Sequence, residues 1–228
     1  MGSTLSALQQ DETWGVNANC GEAERRPENN TLEASEAPVF SISVIPDSIF
    51  SLMQGKSYKK GARIMRDDLR YLRISHYDAN GRVRVGEMIC NKAIANDVIS
   101  IFQELYKAKY PIERMELIDK YDADDEMSMR ANNTSCFNYR VVEGTTSLSA
   151  HARGMAIDVN PFYNPYVHTL KGKRVIAPEG SAPYADRSKN FKYKIDTNDL
   201  AYKLFIKHGF RWGGSWRSSK DYQHFDKK

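Results

Sequence analysis

Cysteine is scarce in this chain of 228 residues: Cys20, Cys90 and Cys136 are an odd number with no CxxC pair. That argues against a disulfide framework and against a cysteine-based zinc site. Long apolar runs are missing too, and no stretch approaches the roughly 18 residues a membrane-crossing helix needs. The opening residues Met1-Gly2-Ser3-Thr4 carry neither the basic n-region nor the apolar h-region of an export signal. No repeat is visible, and the basic residues are scattered rather than clustered, which leaves little ground for a nucleic-acid partner. What remains is an ordinary globular composition, 41% hydrophobic and 27% charged. The length suits one domain with a sizeable core, or two small ones.

The net charge of +4 conceals an asymmetry. Residues 1–40 hold seven acidic side chains and only Arg25 and Arg26 in opposition, so that segment stands at −5 and the remainder at +9. Residues 1–38 are polar, acidic and poor in aromatics, a composition that buries too little apolar surface to offset the entropy of ordering. They read as a flexible acidic N-terminal tail, and residues 39–228 as a single domain. A basic body favours an anionic partner, with an anionic cell-wall polymer the better fit.

Within that domain, Phe40-Ser-Ile42-Ser-Val44 alternates as a half-buried strand does, and Asp47 to Met53 reads as a short helix. Residues 71–87 predict a β-hairpin turning at Asp78-Ala-Asn80-Gly81, with His76 on its surface. Asn91 to Lys109 has one apolar face, Ile94, Val98, Ile101, Phe102 and Leu105, and predicts the best helix of the chain, stopped by Pro111. Ile112 to Ile118 reads as a strand, and the acidic run from Asp119 to Asp125 as a solvated loop that lacks the glycine and glutamate of a calcium loop. Residues 160–190 read as a long irregular excursion. Thr197 reads as the N-cap of a helix through Lys207, ending at Gly209. His208 there suits the helix macrodipole, and His168 has no partner pattern.

The chemistry concentrates in Ser149-Ala-His151-Ala-Arg-Gly154-Met-Ala156-Ile-Asp158 and in Asp221-Tyr-Gln-His224-Phe225. A catalytic zinc site takes three His, Asp, Glu or Cys ligands and keeps one position open for water. His151, Asp158 and His224 can supply them, provided that a bend at Gly154 turns the first two to one side and the C-terminal strand returns to the centre of the fold. Asp221, three residues before His224, suits a base that does not bind the metal. Arg140 suits a donor to a substrate carboxylate or a developing oxyanion.

This pattern resembles the SxHxxGxAxD signature of the M15 zinc peptidases, the group of D-alanyl-D-alanine carboxypeptidases, D,D-dipeptidases and L-alanyl-D-glutamate endopeptidases. Phe137-Asn-Tyr-Arg140 is similar to that family's arginine-bearing segment, and Asp221-x-x-His224-Phe225 to its closing acid-x-x-His, so the resemblance extends over about residues 65–226. It implies His151, Asp158 and His224 as ligands of one Zn2+, Asp221 as the general base, Arg140 as a substrate or transition-state contact, and Ser149 as a substrate-binding or supporting hydroxyl. Many relatives close with Glu; the shorter Asp221 leans toward the endopeptidase branch. The fold implied is α+β, a small antiparallel sheet flanked by helices as in the Hedgehog and D,D-peptidase domains.

The resemblance makes a zinc peptidase of bacterial peptidoglycan stem peptides the leading expectation, cutting at D-Ala-D-Ala or at L-Ala-D-Glu. A non-catalytic wall- or ligand-binding module that keeps the metal site is the alternative, against which the presence of Asp221 argues. The peptide would be the partner, with no nucleic acid, and the protein a monomer. Its place would be the bacterial cell envelope, periplasmic or extracellular, with the export signal absent from this chain.

Overall fold

A computed structural model of the chain describes residues 37–142 and 145–228, so the acidic tail expected over residues 1–38 lies almost wholly outside the described residues. Residues 37–228 form one compact unit. Its architecture is α+β, built on three small antiparallel sheets rather than one.

The first sheet contains β1 (Phe40–Ser43), β2 (Leu69–Tyr77) and β3 (Val83–Asn91), in that order. The hairpin turns where expected: Asp78 Oδ1 accepts from the backbone N–H groups of Asn80 and Arg82, and Gly81 takes a φ of +74°. Register pairs Leu72 with Met88 and Tyr71 with Ile89, and alternation therefore gives the sheet two apolar faces. Leu72, Ile74, Met88 and Cys90 belong to the main core with α2 (Ala95–Lys107), whose Val98, Ile101, Phe102 and Leu105 are buried. Leu69 and Ile89 join a smaller core that includes Met53 of α1 (Asp47–Met53), Leu117 and Phe137.

Several expectations are corrected here. His76 is buried rather than on the surface, because it continues the inward row of Leu72 and Ile74; burial pushes its imidazole pKa down. Residues 112–118 lie along β3, with Glu87 N–H donating to the Met115 carbonyl, but form no named strand. The side chain of Asn133 occupies both backbone groups of Glu116 in place of a ladder. The acidic run is not a plain loop either. It passes through a 3-10 turn at Ile118–Tyr121 into α3 (Asp125–Arg130), which Asp124 caps by accepting from Met127 N–H at 2.8 Å.

The second sheet, in the order β4-β9-β7, joins β4 (Ala156–Asp158), β9 (His224–Asp226) and β7 (Arg211–Trp212). The supposed excursion at 160–190 contains a hairpin, β5 (Tyr166–Leu170) with β6 (Lys173–Ala177), and β5 also pairs with β8 (Lys220–Asp221). α4 (Leu200–Lys207) is capped by Asp199, two residues beyond Thr197, through bonds from the N–H groups of Ala201 and Tyr202. It presents Phe205, which stacks on Phe225 with ring centroids 4.3 Å apart. Phe225 is fully buried in the main core, so its neighbours His224 and Asp226 face the opposite side of β9.

Candidate metal centre

The antiparallel register of β4 and β9 sets Asp158 directly opposite His224. Their side chains meet, Asp158 Oδ1 lying 3.0 Å from His224 Nδ1. The second oxygen, Oδ2, lies 3.2 Å from His151 Nε2, and His151 Nε2 lies 3.2 Å from His224 Nδ1. His151 arrives from a 3-10 turn at His151–Arg153 that ends in Gly154, whose φ of +65° marks the bend expected there. Only glycine fits: a Cβ at this position would stand 2.7 Å from the backbone nitrogen of Asn91. Ser149 Oγ accepts from His151 N–H at 3.2 Å and so braces the turn.

The Cys136 carbonyl and Asp158 set the state of the histidines. His151 Nδ1 donates to the Cys136 carbonyl at 2.6 Å, which leaves Nε2 as the nitrogen with a lone pair toward His224 and Asp158. The segment carrying Cys136 is held against β4 by a two-bond bridge between Ser135 and Asp158. Burial opposes the charge on Asp158, yet His151 and His224 outweigh it and hold the carboxyl far below the ordinary carboxylate range. Burial likewise works against a charged His224, and Asp158 reverses the balance and raises its pKa.

Asp221 lies on β8 beside this group. Its Oδ1 is shut away from solvent without a hydrogen-bond partner. Burial is the main cause that lifts its pKa to about 7, with the Asp158 charge adding to the rise and both histidines opposing it. Gly213 makes this packing feasible, since a Cβ there would lie 2.8 Å from Asp221 Cβ and 3.2 Å from His224 Cβ. Arg140 is near in the chain path, its carbonyl accepting from Ser149 N–H at 3.0 Å, but its guanidinium is ion-paired with Asp125 of α3. The sequence reading overlooked the Cys136 carbonyl, which no side-chain pattern could signal, and Gly213, whose signal is the paired glycine of Gly213-Gly214.

The spacing of the donor set suits a zinc ion. Ligands about 2.0–2.2 Å from a tetrahedral ion stand roughly 3.3–3.6 Å from one another. The three donors here approach that separation, and all lie within 4.8 Å of each other. One carboxylate and two imidazoles, with an acid alongside that has one unpartnered oxygen, make a donor set of the hydrolytic type.

Comparison with known families agrees with this chemistry. Residues 143–227 match the family model described as D-alanyl-D-alanine carboxypeptidase. That family model is one of peptidases. The model is one of peptidase family M15, and the resemblance to the M15 peptidases holds over that span. The match includes His151, Asp158, Asp221 and His224 and starts beyond Arg140. No curated protein and no solved structure matches the chain.

Proposed function

We propose that this chain is a zinc-dependent peptidase that hydrolyses stem peptides of bacterial peptidoglycan, as a D-alanyl-D-alanine carboxypeptidase or an L-alanyl-D-glutamate endopeptidase. The observation that carries the proposal is the register of Asp158 against His224, which gathers the three donors beside an acid, Asp221, whose Oδ1 is shut away from solvent. His151, Asp158 and His224 would hold the zinc. An ion so held supplies Lewis-acid activation of water and of the scissile carbonyl.

Asp221 is the base: it takes a proton from the attacking water and delivers it to the leaving amine. A carboxyl that accepts a proton in one half of that transfer and releases it in the other serves both. The Cys136 carbonyl keeps His151 in the ligating tautomer. Arg140, with part of its guanidinium engaged by Asp125, offers its other N–H groups to a substrate carboxylate, and Ser149 holds the His151 turn at the edge of the substrate site.

The fold is of the Hedgehog and D,D-peptidase type, residues 39–228 act as one domain behind an acidic tail, and the protein works as a monomer in the cell envelope. No helix among the described residues is long and apolar enough to cross a membrane. The test is digestion of purified muropeptides by zinc-loaded protein, followed by mass analysis. Loss of a terminal alanine identifies the carboxypeptidase, and release of a longer stem identifies the endopeptidase. Intact muropeptides with one zinc bound per chain would refute the enzyme and return the metal-bearing binding module.

A further inference from the structure

The rim of the metal centre carries an aromatic ring that the proposed reaction does not use. A 3-10 turn at Gly213–Ser215 packs through Gly213 against Asp221 and His224 and delivers Trp216, whose backbone N–H donates to the Gly213 carbonyl at 3.1 Å. The Trp216 indole lies beside the His224 imidazole, centroids 5.2 Å apart and planes inclined by 59°. It is nevertheless 36% exposed, so part of a large aromatic side chain is presented to solvent at the metal centre. A second aromatic lies on the side of the base. Tyr166 is the register partner of Asp221, directly paired residues share a face of the sheet, and His168 stacks on Tyr166 with centroids 4.4 Å apart.

A tryptophan whose backbone is fixed by its own turn, with one part of the indole against the His224 imidazole and another open, is an apolar wall beside the site. What it can recognise follows from the bonds at issue. In D-Ala-D-Ala and in L-Ala-D-Glu alike, the residue immediately before the scissile bond is alanine, whose methyl is its one apolar group. We infer that Trp216 is a specificity-determining contact that receives this alanine methyl, so that the wall beside His224 selects alanine over glycine before the bond to be cut. The inference rests on the peptidase reading.

The experiment uses the full chain loaded with zinc, the peptide L-Ala-D-Glu-L-Lys-D-Ala-D-Ala, and its analogue with glycine at both alanine positions that precede a candidate bond. Burying one methyl against an apolar wall favours the alanine peptide by roughly 4- to 10-fold in kcat/KM. In Trp216→Ala the ratio should fall to about 1–2 with zinc content unchanged, while Trp216→Phe keeps part of it; a role confined to bracing His224 would lower both rates together and leave the ratio intact. An unchanged ratio overturns the inference, and so does loss of zinc from Trp216→Ala. If that variant does not fold, Trp216→Leu and Trp216→Phe supply the ratio. Should the wild-type protein bind both peptides without cleaving either, the peptidase reading fails separately, and the ratio of the two dissociation constants decides on Trp216. Absence of binding to both peptides sinks the two together.

Discussion

Replacing Asp221 with Asn removes one ionisable group while keeping its shape, and it separates the electrostatics of the site from its packing. The carboxyl is lifted to about 7 in the metal-free fold, chiefly by burial, whereas in an unfolded chain it titrates near 3.9. A native state that still holds this proton when the unfolded chain has released it is favoured below the unfolded pKa. It loses that advantage as pH rises through about 4 to 7. At 1.36 kcal/mol per unit the loss is about 4 kcal/mol, and partial exposure of the residue reduces it toward about 2 kcal/mol. Asp221→Asn escapes this loss. Urea unfolding of metal-free wild type and variant at pH 5 to 8 should show the variant gaining relative stability up to pH 7 and then levelling off. Zinc should shrink the gain, because a nearby cation favours the ionised carboxylate. The zinc-loaded variant should keep its metal and lose about 10²- to 10⁴-fold in turnover, the usual worth of a positioned base. Parallel pH profiles for the two proteins would refute the electrostatic argument, and unaltered turnover would remove Asp221 from the reaction.

Metal binding should be visible in stability. At a zinc concentration a hundredfold above the dissociation constant the folded state gains about 2.7 kcal/mol. For a unit of this size that is about 5–10 °C in Tm, abolished by chelator and absent in Asp158→Asn; identical melting curves with and without zinc would contradict the proposed ligand set. Gly154→Ala forces a side chain onto a φ of +65° and into the Asn91 backbone, at a cost of about 2–4 kcal/mol. A urea midpoint within error of wild type would show that the turn relaxes freely.

Features that depend on local periodicity were legible. The apolar stripe Val98, Ile101, Phe102, Leu105 makes α2, and the alternation around Asp78 to Gly81 makes the hairpin, because each element's own residues create its pattern. The ligand positions were legible because residue type and spacing survive in one dimension, although their meeting depends on a return of the chain to β4. What was hidden is carried by the backbone or by neighbours. The Cys136 carbonyl orients His151 without any side chain, and Asn133 replaces a strand ladder beside Glu116. His76 continues the inward row of Leu72 and Ile74 and faces a cavity that residues 113–116 also line. Asp199 takes the cap that Thr197 suggested, since its carboxylate reaches two N–H groups.

The pairing of β4 with β9 also bears on the order in which this protein assembles. Asp158 and His224 are 66 residues apart in sequence, and their ladder is only three residues long. Closing so long a loop costs entropy before the contact returns anything, and few ladder bonds are available to hold it. The pairing should therefore form after the hairpin and α2, whose contacts are local. A ligand that recognises a late-formed arrangement slows unfolding more than it hastens folding. Zinc at this centre would act as a kinetic latch on the C-terminal strand, lengthening the lifetime of the folded chain while leaving its folding rate nearly unchanged.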